Sequence, residues 1–171
     1  MKQYLLVDGY NIIGAWPELR KLADHELLED ARDRLIEMLA NYQGYSGKRV
    51  ILVFDAYLVP GTGGRYKQSG LDVIFTKEKE TADEVIERLT GELTGRRSIV
   101  QVATSDSVEQ HVAFGRGALR TSARELLLAV KESEHNIRKK LNEPAPRTSS
   151  IDNALSKEMK ELLEKWRRGL M

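Results

Sequence analysis

The chain has 171 residues, enough for one substantial domain with an appendage, and it contains no cysteine. The absence of cysteine excludes disulfide bonds, thiolate zinc sites and cysteine catalysis. The apolar run near the N-terminus, residues 4–7, is too short for a signal peptide or a membrane span, so we expect a cytoplasmic protein with no membrane partner.

Charge is distributed unevenly along the chain. Residues 1–135 carry 18 Lys and Arg against 21 Asp and Glu, a net charge of −3, whereas residues 136–171 carry 9 against 5, a net charge of +4. A body with a net negative charge does not attract a polyanion by bulk electrostatics. If the ligand is a nucleic acid, its binding therefore needs local basic patches, metal ions or a partner that delivers the substrate.

Short apolar runs alternate with helical patterns along the body, and they are rich in Val and Ile, as is typical of parallel strands buried on both faces. The runs are YLLV (4–7), VILVF (50–54), VIF (73–75) and SIVQVAT (98–104), with ALRTS (118–122) as a short fifth candidate. Helices are predicted over 24–43, from about Ala82 behind a Thr81–Glu84 capping box, and over 122–141. This alternation predicts an α/β fold, a three-layer sandwich with a mainly parallel central sheet.

Other segments depart from this pattern. Residues 57–70 contain four glycines and a proline between two strands, which predicts a mobile loop with Arg65 and Lys67 at its tip. The stretch SDSVEQHVAFGRG predicts a short helix closed by glycines, and NEPAPRTSS predicts a linker. The predicted organisation is a domain at 1–141, a linker at 142–150 and a basic amphipathic C-terminal helix at 151–171.

Acidic residues follow each of the four main strands. They are Asp8, Asp55, the neighbours Asp83 and Glu84, and Asp106. Ligands of open parallel sheets bind at the carboxyl ends of the strands, so we expect these residues to gather along one edge. Taken singly, each has a plain structural explanation as a turn residue or a helix cap. Together, crowded carboxylates repel one another unless a cation lies between them.

Oxygen ligands select hard cations such as Mg²⁺ or Mn²⁺, which are held by a few carboxylates, several waters and a substrate phosphate. Such a metal site can hydrolyse phosphodiester bonds, because the metal activates water and stabilises the phosphate oxygens. This mechanism does not require a histidine. Two further residues have open roles. Asn11 would orient Asp8, donate to a phosphate oxygen or simply form a turn or cap, and Glu109 would be an outer ligand or a solvated helix residue.

Basic residues near the same edge are candidates for contacts with phosphates. They are Arg65 and Lys67 on the glycine-rich loop, Arg32 and Arg34 on the first long helix, and Arg116, Arg120 and Arg124 after the fourth strand. Such clusters are often only solvated surfaces. Arg116 and Arg120 flank the turn after the short helix, where a phosphate path is plausible.

The sequence lacks the motifs of several other enzyme classes. GTGGRY does not match a P-loop, the first strand is not followed by G-x-G-x-x-G, and no serine sits in a G-x-S-x-G elbow. A phosphoacceptor domain would also place acidic residues and Mg²⁺ at strand ends, but the chain lacks paired acidic residues beside the first strand.

An ordered set of motifs resembles the YacP family of bacterial NYN-domain proteins, which belong with the PIN-like ribonucleases. The motifs are LLVDGYNIIG, VFDAYLVPG, ETADEVIERL, VATSDSVEQ and GALRTSARELL. The resemblance covers about residues 1–141. It implies a PIN-like Rossmannoid fold and metal-dependent endoribonuclease activity on single-stranded RNA, with mRNA cleaved in association with the ribosome.

Matched residue by residue, the resemblance implies an acidic site formed by Asp8, Asp83 and Asp106, with Asn11 in the amide position of the first motif. Asp55 also matches a family motif, without a settled catalytic role. Wider NYN relatives have two aspartates after the third strand where this chain has Asp83 and Glu84, which leaves the role of the second carboxylate open. The alternative is a non-catalytic RNA- or ribosome-binding adaptor with the same fold.

Overall fold

The computed structural model describes residues 1–56, 63–106, 111, 115, 117–143 and 157–169. The chain divides into two compact units, Met1–His135 and Asn136–Met171. The predicted glycine-rich segment 57–70 is described only from residue 63 onward. Most of the predicted short helix after the fourth strand and most of the predicted linker lie outside the described residues.

Strands and helices alternate along the first unit. The strands are β1 (Lys2–Asp8), β2 (Arg49–Phe54), β3 (Gly64–Gln68), β4 (Leu71–Phe75), β5 (Ser98–Ala103) and β6 (Leu119–Thr121). The helices are α1 (Gly9–Ala15), α2 (Pro17–Asp24), α3 (Leu28–Ser46), α4 (Ala82–Leu93), α5 (Ala123–Asn142) and, in the second unit, α6 (Lys157–Arg167). In the part of the chain that is described, no helix is both long and apolar enough to cross a membrane.

The strands form one sheet in the order β3-β4-β2-β1-β5-β6. All neighbouring strands are parallel except β3, which runs antiparallel to β4 at one edge. Register is fixed on both sides of β1, where Val7 lies opposite Leu52 of β2 and opposite Ala103 of β5. The mainly parallel sheet confirms the predicted fold class.

Two separate cores cover the two faces of the sheet, because successive side chains of each strand point to opposite faces. One core contains Leu5, Val7 and Leu52, packed under residues of α1, α2, α3 and α5. The other contains Leu6 and Val53, packed under α4. The fully buried Trp16 ties the first layer together, since its indole N–H donates to the backbone oxygen of Ala123 at 2.8 Å. The result is a three-layer sandwich.

Of the two structural explanations given for Asp8, a turn residue or a helix cap, the structure shows the helix cap. Asp8 ends β1, and helix α1 starts at the next residue, Gly9, so the strand runs directly into a helix. A second helix, α2, begins with Pro17, a residue that favours the first helical turn because its missing N–H has no partner there. The sequence prediction began the first helix at residue 24, whereas α3 begins at Leu28.

The predicted mobile loop is wrong over residues 64–68, which form the edge strand β3. Arg65 and Lys67 therefore lie on a strand rather than at a loop tip. The hairpin between β3 and β4 turns at Ser69 and Gly70, both with positive φ (55° and 80°). Two-residue hairpin turns with positive φ match the twist of antiparallel strands. The sequence predicted a loop here because residues 64–68 are polar and exposed and lack the alternation of apolar residues that is typical of a strand.

Candidate active site

The carboxyl end of the sheet contains the point where strand order reverses. From β1 the chain crosses through α1, α2 and α3 to β2 on one side, and later through α4 to β5 on the other side. In open α/β sheets, this switch point is the usual place for a ligand. The candidate active site is therefore built from residues at the ends of β1, β2 and β5 and at the start of α4.

Asp8 caps the helix that follows it. The residue is 9% exposed, and its Oδ1 accepts a hydrogen bond from the backbone N–H of Asn11 at 3.4 Å. This bond satisfies one of the N–H groups that a helix start leaves without an intrahelical partner. Residues 8 and 11 thus meet in a helix cap through the Asn11 backbone, and orientation of Asp8 by the Asn11 side chain stays a prediction.

Gly9 allows the close approach between the start of α1 and strand β2. A Cβ atom added at this position would lie 2.5 Å from Cδ1 and 3.0 Å from Cζ of the Phe54 ring. Such distances are far inside van der Waals contact, so only glycine fits without a shift of the ring. The glycine of the VDGYN motif therefore serves packing beside Asp8.

Asn11 connects α1 to the end of β5. Its side-chain Oδ1 accepts a hydrogen bond from the backbone N–H of Ser105 at 2.5 Å and a second one from the Ser105 hydroxyl. The next residue, Asp106, is half-buried and donates its backbone N–H to Thr104 Oγ1 at 3.1 Å. The side chain of Asn11 thus spans the switch point and fixes the backbone that carries Asp106.

Asp55 makes the equivalent connection on the other side of β1. Its Oδ2 accepts a hydrogen bond from the backbone N–H of Ala82, the first residue of α4, at 3.4 Å. Thr81 caps the same helix by accepting from the Glu84 N–H at 3.2 Å, which confirms the predicted start of this helix. Asp83 is an exposed residue of the first turn of α4, directly beside the residue that Asp55 contacts.

Tyr10 and Arg32 add a polar pair that the sequence did not single out together. Arg32 Nη1 donates to the Tyr10 hydroxyl oxygen at 3.2 Å. Burial raises the pKa of Tyr10 above its ordinary value, Arg32 opposes the rise, and the negative charge of Asp55 adds to it. Tyr10 is therefore neutral at physiological pH. The only available sequence signal was its position between Asp8 and Asn11 in the first motif.

The donor set at this end of the sheet suits a hard divalent cation, because it consists of carboxylate and amide oxygens. Within the described ranges, however, no three His, Asp or Glu side chains lie close enough together to hold one ion. Mg²⁺ commonly takes only one or two protein carboxylates and completes its shell with waters and substrate phosphate. The residues present therefore fit a cation held jointly with a substrate, and the three-aspartate ligand set stays a prediction.

The predicted RNA-contacting residues lie on different parts of the sheet. Arg65 and Lys67 are exposed on the edge strand β3, and Arg120 is exposed on β6, the strand at the opposite edge. Arg65 also forms an ion pair with Asp72 at 3.5 Å. Arg116 and Glu109 lie outside the described residues. These positions would place basic side chains on both flanks of the central strands.

Comparison with known proteins assigns the chain to a family. The model of the YacP-like NYN domain matches residues 5–168, nearly the whole sequence. The chain belongs to this family. It is also 50% identical over 165 residues to a Bacillus subtilis (strain 168) relative named "Uncharacterized protein YacP", with 96% of each chain covered.

Solved structures of family members agree with the fold. A crystal structure of Rae1 (YacP) from Bacillus subtilis matches with a TM-score of 0.74 and 49% identity, covering 97% of this chain and 95% of that one. A tryptophan-to-leucine variant of the same protein matches with a TM-score of 0.71 and 47% identity, covering 87% and 89%. The resemblance seen in the sequence motifs is confirmed, and membership of this family is consistent with a nuclease-type, RNA-binding protein.

Proposed function

We propose that the protein is a metal-dependent endoribonuclease that cleaves single-stranded RNA, and that its substrate is mRNA on the ribosome. The observation that supports this most is the arrangement at the switch point. There Asp8 and the Asn11–Ser105 contact hold the ends of β1 and β5 together, and Asp55 contacts the helix start that carries Asp83. Because the chain belongs to the YacP-like NYN family, nuclease activity is the first function to test.

The proposed metal ligands are Asp8, Asp83 and Asp106, with Asp55 as a further candidate. A bound Mg²⁺ or Mn²⁺ would supply charge neutralisation at the phosphate and activation of water, which favours a 5′-phosphate product. Asp8 is held for this role by its bond to the α1 backbone, and Asp106 by the Asn11–Ser105 contact. Asn11 is thus proposed to orient the site rather than to carry charge.

Substrate binding would use basic residues at the two flanks of the sheet together with a partner. Arg65, Lys67 and Arg120 on the edge strands, together with Arg116, which lies outside the described residues, are proposed to contact phosphates of the RNA backbone. Such contacts position a strand without reading its sequence. The first unit nevertheless has a net charge of −3. Delivery of the mRNA by the ribosome would compensate for the weak attraction, and the basic C-terminal segment, with its net charge of +4, is the proposed docking element.

The alternative is a non-catalytic RNA- or ribosome-binding adaptor. One observation favours it, namely that no three acidic or histidine side chains of the described segments lie together as a ready metal site. An adaptor would associate with ribosomes yet leave every RNA bond intact.

The test uses translating ribosomes, because naked RNA alone would not separate the two proposals. Purified protein is added to a reconstituted translation reaction and the 5′ ends of the mRNA are mapped, in parallel with an Asp8→Asn variant. Asparagine caps helices as well as aspartate does, so this variant should fold normally. New 5′-phosphate ends with the parent and none with the variant support the nuclease, whereas identical RNA ends in both reactions, with protein still co-sedimenting with ribosomes, support the adaptor.

Metal dependence needs a separate measurement, because chelators dismantle the ribosome's own Mg²⁺ contacts. A short single-stranded RNA is incubated with concentrated protein in Mg²⁺, in Mn²⁺ or in chelator. Cleavage that requires Mg²⁺ or Mn²⁺ supports the proposed cofactor, and cleavage that persists at full rate in chelator contradicts it.

A further inference from the structure

A row of four aromatic rings runs along the carboxyl end of the sheet, on the face covered by α3. We call Tyr10, Phe54, Phe75 and Tyr66 the aromatic row. The ring centroids of Tyr10 and Phe54 are 5.0 Å apart, those of Phe54 and Phe75 are 5.5 Å apart and nearly parallel at 24°, and those of Phe75 and Tyr66 are 6.1 Å apart at 65°. Each spacing lies in the range of favourable ring contacts.

The aromatic row starts inside the candidate active site and leads away from it. Tyr10 lies between Asp8 and Asn11 in the chain, and Phe54 and Phe75 are the last residues of β2 and β4. Tyr66 belongs to the edge strand β3. The row therefore runs from the switch point to the edge of the sheet.

The Tyr66 ring leans toward the carboxyl end of the sheet. A Cβ atom built on Gly64 would lie 2.8 Å from the Tyr66 hydroxyl oxygen and 3.0 Å from Cζ, so the ring lies over this glycine. Gly64 is paired with Phe75, the last residue of β4. The glycine thus leaves room for the Tyr66 ring beside the candidate site.

Exposure is greatest at the outer end of the row. Phe54 is fully buried, Tyr10 and Phe75 are half-buried, and Tyr66 is 55% exposed. Core packing accounts for Phe54, and cross-strand packing accounts for the contact between Tyr66 and Phe75. More than half of the Tyr66 surface is left open to solvent, at the outer end of a chain of ring contacts that begins at the candidate site.

We propose that Tyr66, supported by Phe75, is a stacking site for a base of single-stranded RNA bound next to the cleavage point. The proposal rests on RNA being the substrate, as in the proposed function. Aromatic side chains bind single strands by stacking on bases, and every base offers a π face, so this contact tolerates any sequence. Stacking also supplies affinity that does not depend on attracting phosphates, which suits a body with a net charge of −3.

The base-stacking site is tested by the fluorescence of 2-aminopurine in a short single-stranded oligouridine. Stacking quenches this base, a signal that a purely structural role of Tyr66 would not produce. Protein is titrated at low salt in a chelating buffer, so that metal-dependent cleavage does not interfere. We expect saturable quenching by the parent and an affinity about 5- to 100-fold weaker for Tyr66→Leu. Tyr66→Phe keeps the ring and should bind like the parent.

Tyr45 provides a matched control. It is a similarly exposed tyrosine, 45% exposed, near the end of α3, where the adjoining Ser46 and Gly47 line a surface pocket together with the start of β1. This places Tyr45 at the amino end of the sheet. Tyr45→Leu should therefore leave quenching and affinity unchanged, and thermal unfolding should show that each variant is folded.

The outcomes separate this inference from the proposed function. Equal quenching and affinity for Tyr66→Leu and the parent, or the absence of quenching by the parent at any concentration, would overturn the stacking site. Metal-dependent cleavage with an unchanged KM in Tyr66→Leu would also overturn it while leaving the nuclease intact. Tyr66-dependent quenching without cleavage on ribosomes would support the stacking site and contradict the nuclease.

Discussion

At the amino end of the sheet, the buried Asp72 carboxylate accepts a hydrogen bond from Arg49 at 3.1 Å and lies 3.5 Å from an Arg65 nitrogen. At the carboxyl end, the bonds described for Asp8 and Asp55 come from backbone N–H groups of α1 and α4. A guanidinium brings a full positive charge to a carboxylate, whereas a backbone N–H does not. The Asp72 contacts join three strands through paired charges, and the Asp8 and Asp55 bonds connect strand ends to helix starts.

This difference indicates different uses of the same residue type. The half-exposed Arg49 and Arg65 both form ion pairs with Asp72, and these pairs link β2, β3 and β4. A carboxylate has several acceptor positions, so one bond from a helix N–H is compatible with coordination of a cation. We therefore expect substitutions at the carboxyl end to change activity and a substitution at Asp72 to change stability.

Asp83→Asn should have the largest effect, a loss of ribosome-dependent mRNA cleavage of at least about 100-fold, because a proposed metal ligand is removed. Stability should fall by less than about 1 kcal/mol, since the interaction of an exposed acidic residue in a first helical turn with the helix dipole is worth about 0.3 to 1 kcal/mol. Mapped 5′ ends and a denaturant titration measure the two quantities. Cleavage at the parent rate would show that Asp83 does not belong to the site.

Asn11→Ala should lower kcat about 10- to 100-fold, as is typical when a residue that orients a metal ligand is lost. The reason is that Ser105 loses its acceptor and the backbone bearing Asp106 is no longer fixed. Asn11→Asp keeps an oxygen that can accept from Ser105, but it removes the amide donor. Recovery of activity in Asn11→Asp would assign the role to positioning, and activity as low as in Asn11→Ala would instead indicate donation to a phosphate oxygen.

Asp72→Asn should lower the free energy of unfolding by about 1 to 3 kcal/mol, because its bonds to two charged groups are weakened. The kcat for cleavage by the folded variant should equal that of the parent, because Asp72 contacts the proposed RNA-binding residue Arg65 but is not a proposed metal ligand. Chemical denaturation and the cleavage assay, run on the same preparation, test both statements. A cleavage defect as large as that of Asp83→Asn would remove the distinction between the two ends of the sheet.

The buried strands could be predicted because parallel strands covered on both faces consist almost wholly of apolar residues, as in β2 with its sequence RVILVF. Strand β3 could not be predicted in this way. Its sequence, GRYKQ, is exposed and polar, and only the Ser69–Gly70 turn marks the hairpin. Helix α1 was not predicted because it has only seven residues and begins directly after Asp8. No loop sequence between β1 and α1 marks where the helix starts.

The placement of acidic residues at one edge followed from topology alone, since all parallel strands end on the same side. The contact between Asn11 and Ser105 did not follow, because these residues are 94 positions apart and meet only through the register of β1 against β5. The same holds for the contact between Tyr10 and Arg32, which depends on how α3 lies over the sheet. Sequence patterns therefore predicted which acidic residues follow the strands, and tertiary packing determined which side chains meet there.

The two glycines of α1 give the smallest and most local test of how the carboxyl end is built. Gly9→Ala should destabilise the protein by about 1 to 3 kcal/mol, because the new methyl group overlaps the Phe54 ring and the core must shift. Gly14→Ala, in the same helix, meets nothing within 4 Å and should stabilise the protein by about 0.5 to 1 kcal/mol. Since Gly9 adjoins Asp8, Gly9→Ala should also reduce cleavage, while Gly14→Ala should not. Opposite signs in denaturant titrations would show that glycine at position 9 is required for packing against β2, whereas equal stabilisation by both substitutions would contradict the close approach to Phe54.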